Sequence, residues 1–348
     1  MTELYDRILG SLYTAAMGDA LGAPTETMSA AEIGHYYGGR VMFFVDGAVN
    51  PAFHNARVGE ISDDTSQLYE MARAVIASGG NFTEEDAAQA LLNWADRYPR
   101  YYPVCAGPTT RNVIDELRSG KDPVEVGKSR GIGMPERGCS NGAAMHVAPA
   151  GLIHPGDPAG ALETAITMTR VSHGTQIGYA SACAVACAVA QALSPERDVY
   201  QVVRAALFGA KEGERRGMLE GTSAPGASVH SRIHKAIGIV YDCETMEEAE
   251  RRLDERLGGD SSSAAPAVAI AIGLFAAADG DPIKTIVSAA NVGGDTDTIG
   301  CIAGAIAGAY AGYSALRENW CSFFERANRD IQLEPIARGL CEIAELMI

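Results

Sequence analysis

Apolar residues recur at helical spacing through most of the chain. From Leu4, the positions Ile8, Leu12, Ala15 and Ala16 share one face, and after Ser62 the positions Leu68, Met71, Ala72, Val75 and Ile76 repeat at intervals of three and four. Two stretches, 178–193 and 267–278, are apolar on nearly every side, which predicts helices central to the fold. A third, 299–316, carries no charge and places Gly300, Gly304, Gly308 and Gly312 along one side. Each glycine weakens a helix by about 1 kcal/mol relative to alanine, so the pattern requires another backbone packed closely against it. Val41 to Val45 (VMFFV) has a strand's composition, but one candidate cannot make a sheet. Loops are expected at 106–111, 131–141, 213–228 and 257–266, none with the length or bias of an interdomain linker. The pattern therefore predicts one all-α domain spanning 1–348.

Composition narrows the partners. With 28 basic against 44 acidic residues the formal charge is −16, which argues against a grip on nucleic acid or an anionic membrane. The 299–316 run approaches membrane-spanning length, yet its alanines and glycines suit a buried helix. Eight cysteines without a CxxC pair read as reduced and mostly buried. The first residues (MTELYDRILG) are acidic where a secretion signal is basic, so the expected location is the cytoplasm.

Two acidic clusters, far apart in sequence, each fall at an expected helix start. One is Ser62-Asp63-Asp64-Thr65 and the other Gly293-Gly294-Asp295-Thr296-Asp297-Thr298. Helix capping accounts for one or two such residues, not for six. Crowded carboxylates repel one another and favour a cation, and hard oxygen donors select Mg²⁺, Mn²⁺ or Ca²⁺ over zinc. If the two helix starts meet, four carboxylates can hold two metal ions. His230 and His234 have the spacing of a zinc pair but no evident third ligand, and Cys183 and Cys187 share that spacing inside an apolar helix. No GxSxG elbow marks a serine nucleophile.

These residues also belong to an ordered set of motifs. Gly18-Asp19-Ala20-Leu21-Gly22-Ala23-Pro24-Thr25-Glu26 is similar to the GDALGxPxE segment of the ADP-ribosylglycohydrolases, and Ile61 to Thr65 resembles their (T/S)DDT segment. Asn141 to Met145 resembles their NGAAM loop, 169–173 (TRVSH) their TxxTH segment, and 293–300 (GGDTDTIG) their GGDTDTxA segment. The resemblance runs from about residue 10 to 315 in family order.

What this resemblance implies is a compact orthogonal helical bundle around a binuclear Mg²⁺ or Mn²⁺ centre. By the same token one metal would be held by Ser62, Asp63, Asp64 and Asp297, and the other by Asp295, Asp297 and Thr298, with Asp297 bridging. Gly138, Cys139, Ser140 and Asn141 would wrap the diphosphate and ribose of an ADP-ribose-containing substrate, and His173 would contact it. Glu26 or Asp63 would take the proton, the choice being open. The implied reaction is hydrolysis of the bond between ADP-ribose and an acceptor, with ADP-ribosylated protein among the partners. Two alternatives remain on the same scaffold: hydrolysis of another small riboside or nucleotide, and a non-catalytic protein of the lens-crystallin or ADP-ribose-binding kind. Ser62 stands where many members carry Thr, and Cys139 places an oxidisable thiol in the ligand loop. Aromatics at 36, 37, 43, 44, 53, 98, 101 and 102 could stack a base or simply pack.

Overall fold

The computed structural model describes residues 2–51, 53–128, 137–259 and 262–347. Eighteen α-helices and two single turns of 3₁₀-helix account for its regular structure, and among the described residues there is no sheet, only the isolated bridges Ser140–Ser263 and Thr175–Thr222. The all-α expectation holds. No helix of the described residues is long and apolar enough to cross a membrane.

Two buried helices, Glu3–Gly22 and Thr296–Ala311, form the axis on which the site is built. Their small residues meet in antiparallel register: a Cβ added at Gly22 would strike the Thr296 carbonyl, one at Gly18 that of Gly300, and one at Gly10 the backbone beyond Gly308. A Cβ on Gly304 would run into the Thr14 carbonyl. The glycines that the sequence placed on one side are thus the points where two backbones touch. Gly312 does not continue the helix; at φ +87° it ends it, and the chain turns. Because the helices are antiparallel, the end of the first and the start of the second lie side by side.

The same device occurs again between Gln176–Ala192 and Val199–Glu220. Cβ atoms on Gly209, Gly213 and Gly217 would collide with Cys183, Tyr179 and Gln176. Here the sequence reading needs correction: 213–228 was expected to be a loop, but the helix continues through Gly213 and Gly217 to Glu220. Close packing overrides the low helix propensity of glycine there. In the expected loop at 131–141, residues 131–136 lie outside the described residues. Val41 to Val45 is not a strand. Asn291 takes the place of a neighbouring strand, accepting from the Val41 N–H and donating to its carbonyl, while Phe43 and Phe44 pack on Trp320 and Phe323.

The register yields a paired prediction. Gly18→Ala drives a methyl into the Gly300 backbone and will destabilise the protein by about 3 kcal/mol, on the order of 10 °C in thermal midpoint, or stop folding altogether. Gly238→Ala, in a helix and with nothing within 4 Å of the added Cβ, will stabilise by up to about 1 kcal/mol.

Candidate metal centre and ligand cavity

Three chain segments bring the acids together, and each is fixed by a specific backbone arrangement. Glu26 follows the turn that ends the first helix. Gly293 and Gly294, at φ +90° and +76°, bend the chain before Asp295. The Thr27 N–H then donates to the Gly294 carbonyl at 2.7 Å and the Gly294 N–H to the Met28 carbonyl at 2.9 Å, so the Glu26 and Asp295 loops are clasped together. Ser62 caps the helix Asp63–Ala77, its hydroxyl accepting from the Asp64 N–H. Asp19 accepts from the Ser62 N–H at 2.9 Å and the Thr65 N–H at 3.0 Å, tying that helix start to the first helix. Asp19 carries no direct role in the sequence reading, although a lone acid among Ala15 to Leu21 is a signal that it has a buried partner.

The result is one set of facing oxygens. Carboxylate oxygens of Glu26, Asp295 and Asp297 lie within 4.8 Å of one another, and Asp63, Asp64 and Thr298 line the same cavity. Capping consumes little of this set: the Asp295 side chain caps no helix and instead accepts from the Asn141 Nδ2 at 2.9 Å. Asp63 Oδ2 accepts from Gln67 Nε2. Asp64 Oδ1 is buried without a hydrogen-bond partner among the described residues, an arrangement that costs stability unless something cationic satisfies it.

The electrostatics point the same way. Burial first, then Asp295 and Asp19, push Glu26 up to about 8. Burial and then Asp63 raise Asp64 well above the usual carboxylate range; burial and then Asp19 do so for Asp63, and burial and then Glu26 for Asp297. Asp19 rises to about 6 by burial, against the lowering effect of the bonds from Ser62 and Thr65. Oxygen-only donors of this kind fit a hard divalent cation.

Beside the acids, the cavity of about 520 Å³ is also lined by Ser140, Asn141 and Gly142, and by a segment containing Cys105, Gly107, Thr109 and Thr110. Of the ligand-loop residues read from the sequence, Ser140 and Asn141 face the cavity, whereas Gly138 and Cys139 are buried beside it. Gly138, at φ +79°, is held by the Thr175 hydroxyl donating to its carbonyl at 2.6 Å. His173 lies behind Ser140 rather than in the wall: its Nε2 is 2.8 Å from the Ser140 Oγ and its Nδ1 2.9 Å from the Ser172 Oγ. Ser62 is likewise buried behind Asp64.

Two wall residues had no signal in the sequence. Arg137 brings a positive charge to the cavity while its guanidinium is engaged by Glu116. Cys105 has its thiol pushed up to about 12 by burial and by Asp63 and Glu26, which keeps it protonated. The aromatic segments do not enter the cavity wall; Tyr98 and Tyr101 stack on each other, and Phe43 and Phe44 belong to the Trp320 cluster. His230 and His234 have ring centroids 4.6 Å apart on an outer helix, and no third metal-ligating group joins them among the described residues.

Comparison with known proteins identifies relatives over nearly the whole chain. A sequence profile described as ADP-ribosylglycohydrolase matches residues 1–346. The chain is 30% identical over 312 residues to the uncharacterized protein YegU of Escherichia coli (strain K12), covering 89% of each. It is 25% identical to the ADP-ribosyl-[dinitrogen reductase] glycohydrolase of Rhodospirillum rubrum, over 95% of this chain and 94% of that one. The human ADP-ribosylhydrolase ARH3 is 26% identical, with 92% and 91% covered. A solved ADP-ribosylglycohydrolase-related protein complex superimposes over 100% of both chains at 24% identity and a TM-score of 0.67, which shows the shared fold.

The carboxylate shifts fix a pH dependence. Glu26 titrates near 8 folded against 4.5 ordinarily, so both states hold its proton below 4.5, and its stabilising contribution is lost as pH rises through 8. Asp63, Asp64 and Asp297 shift in the same direction. His146 and His173, lowered by burial to about 4 and about 3, act oppositely, but only as pH falls below 6.5. Chelator-treated protein will therefore lose thermal stability between pH 6.5 and 8, and added Mg²⁺ will flatten that slope. A slope that is flat without metal contradicts the crowding of these acids.

Proposed function

The chain belongs to the ADP-ribosylglycohydrolase family of hydrolases, and on that premise we propose that it cleaves the glycosidic bond joining ADP-ribose to an acceptor, with two Mg²⁺ or Mn²⁺ ions as cofactors. The observation that carries this reading is the convergence of Glu26, Asp63, Asp64, Asp295 and Asp297 on one cavity, with Asp64 Oδ1 left unpaired. Ser62, Asp63, Asp64 and Asp297 would hold one ion, and Asp295, Asp297 and Thr298 the other. Bound there, the cations would supply Lewis acidity and neutralise the carboxylate cluster.

The protein's own groups then have distinct tasks. The Glu26 carboxylate accepts no hydrogen bond from a described residue, its backbone alone being held by Asn50 and Ala23, whereas Asp63 is anchored by Gln67; this favours a Glu26 carboxylate oxygen as the site that takes the proton from water, with Asp63 a fixed charge beside it. Negative charge facing the anomeric carbon favours the positive character that develops at ribose as the bond breaks. The loop 138–141, with Arg137 and Thr109 and Thr110 in the same cavity, suits the diphosphate. We assign the activity to residues 1–348 acting as a single domain in the cytoplasm, where eight cysteines without a disulfide are in keeping. The acceptor class is an ADP-ribosylated protein side chain or a small ADP-ribosyl conjugate.

The test is release of ADP-ribose from peptides ADP-ribosylated on arginine or on serine, and from a small-molecule conjugate, with Mg²⁺ and with Mn²⁺. Turnover of at least one substrate is expected, abolished by chelation, and Asp297→Ala should lower it by at least about a hundredfold. Retention of ordinary turnover and metal dependence by that variant would overturn the site. Turnover of another riboside but of no ADP-ribosyl substrate would overturn the substrate class.

A further inference from the structure

Resting on the reading of this cavity as an ADP-ribose site, we infer that Ser172 and His173 act on the ligand through Ser140, by fixing its hydroxyl as a donor to a phosphoryl oxygen. His173 and Ser172 are positioning residues in this account, and Ser140 is the group that touches the ligand.

The direction of the relay follows from counting hydrogens. Ser172 is 3% exposed, and among the described residues the one side-chain hydrogen bond it makes is to His173 Nδ1, 2.9 Å away. A buried hydroxyl hydrogen left without an acceptor is unfavourable, so Ser172 donates to Nδ1. Nδ1 is then bare. A neutral imidazole carries its hydrogen on the other nitrogen, so Nε2–H donates to Ser140 Oγ across 2.8 Å. Burial, with Arg137 and His146 nearby, keeps the ring neutral. Ser140 accepts from the ring, makes no other side-chain hydrogen bond to a described residue and lines the cavity, so its own O–H can point at a ligand. The reverse arrangement would strand the Ser172 hydrogen and leave Ser140 offering the cavity only lone pairs.

A donor at this place suits an anion. Arg137 lines the same cavity as Ser140, so a positive charge is available to an anion there, and Asn141, next to Ser140, spends its amide on Asp295. A hydroxyl donating to a phosphoryl oxygen forms a charge-assisted bond, stronger than one to a neutral oxygen.

Two measurements test this. In metal-loaded protein without ligand, the ¹⁵N shifts of the His173 ring should report hydrogen on Nε2 and a bare Nδ1; hydrogen on Nδ1 overturns the relay. This readout needs neither a variant nor any activity. Calorimetric titration of ADP-ribose at saturating Mg²⁺ forms the second arm, on variants whose thermal midpoints show them folded. Ser140→Ala should bind about tenfold more weakly or worse, and Ser172→Ala, which does not line the cavity, several-fold more weakly. Added to Ser140→Ala, the Ser172→Ala change should cost nothing further, because its effect passes through the missing hydroxyl. An equal loss in both backgrounds makes Ser172 a packing residue and overturns the proposal, as does full affinity in Ser140→Ala. Wild-type protein that takes up no ADP-ribose contradicts the substrate class instead, while the ring tautomer still decides the relay.

Discussion

The contact on which the rest depends is the antiparallel meeting of Glu3–Gly22 with Thr296–Ala311. Side chains at Gly10, Gly18 and Gly22 on one helix, or Gly300, Gly304 and Gly308 on the other, would hold the backbones apart. With glycine they approach closely, and the four-residue repeat on both sides fixes their register as well as their distance. That register sets the end of the first helix beside the start of the second, so Glu26 and Asp295, separated by most of the sequence, become neighbours. Asp19, on the same first helix, then captures the N-terminus carrying Asp63 and Asp64. One close packing contact thus delivers three acidic segments to one point.

Such a site is unfavourable by itself. Acids gathered in a buried place stay ionised only against desolvation and mutual repulsion, which is why their proton affinities rise. The glycine-lined helices supply the rigidity that holds this arrangement in place, and the proposed cations would relieve the repulsion. The rest of the lining has a different character, with hydroxyls, an amide, a glycine-bent loop and Arg137, so acids, neutral donors and one guanidinium share a single cavity.

Much of this was legible in the residues. The apolar periods located Glu3–Gly22, Asp63–Ala77, Gln176–Ala192, Ala264–Ala277 and Thr296–Ala311, and the excess of acids over what caps require marked Asp63, Asp64, Asp295 and Asp297 as a site. The motif order pointed to the loop 138–141, of which Ser140 and Asn141 line the cavity. What stayed hidden depends on partners in space. Gly213 and Gly217 look like loop residues until Tyr179 and Gln176 are seen against them, although their spacing from Gly209 repeats the pattern of Gly300, Gly304 and Gly308. Arg137 and Cys105 belong to no pattern and enter the cavity only because their segments pass beside it. The motif pointed to His173 as a ligand contact, whereas the structure places it behind Ser140, a position only the packing reveals.

The central claim is that acids from both ends of the chain form a single cation-binding centre. Diffraction at the manganese edge from crystals grown or soaked in Mn²⁺ tests it most directly. The account predicts two anomalous peaks, both within coordination distance of oxygens of Ser62, Asp63, Asp64, Asp295, Asp297 and Thr298, with Asp297 shared between them. Manganese held by only one of the two clusters, or bound elsewhere with this cavity empty, would contradict it.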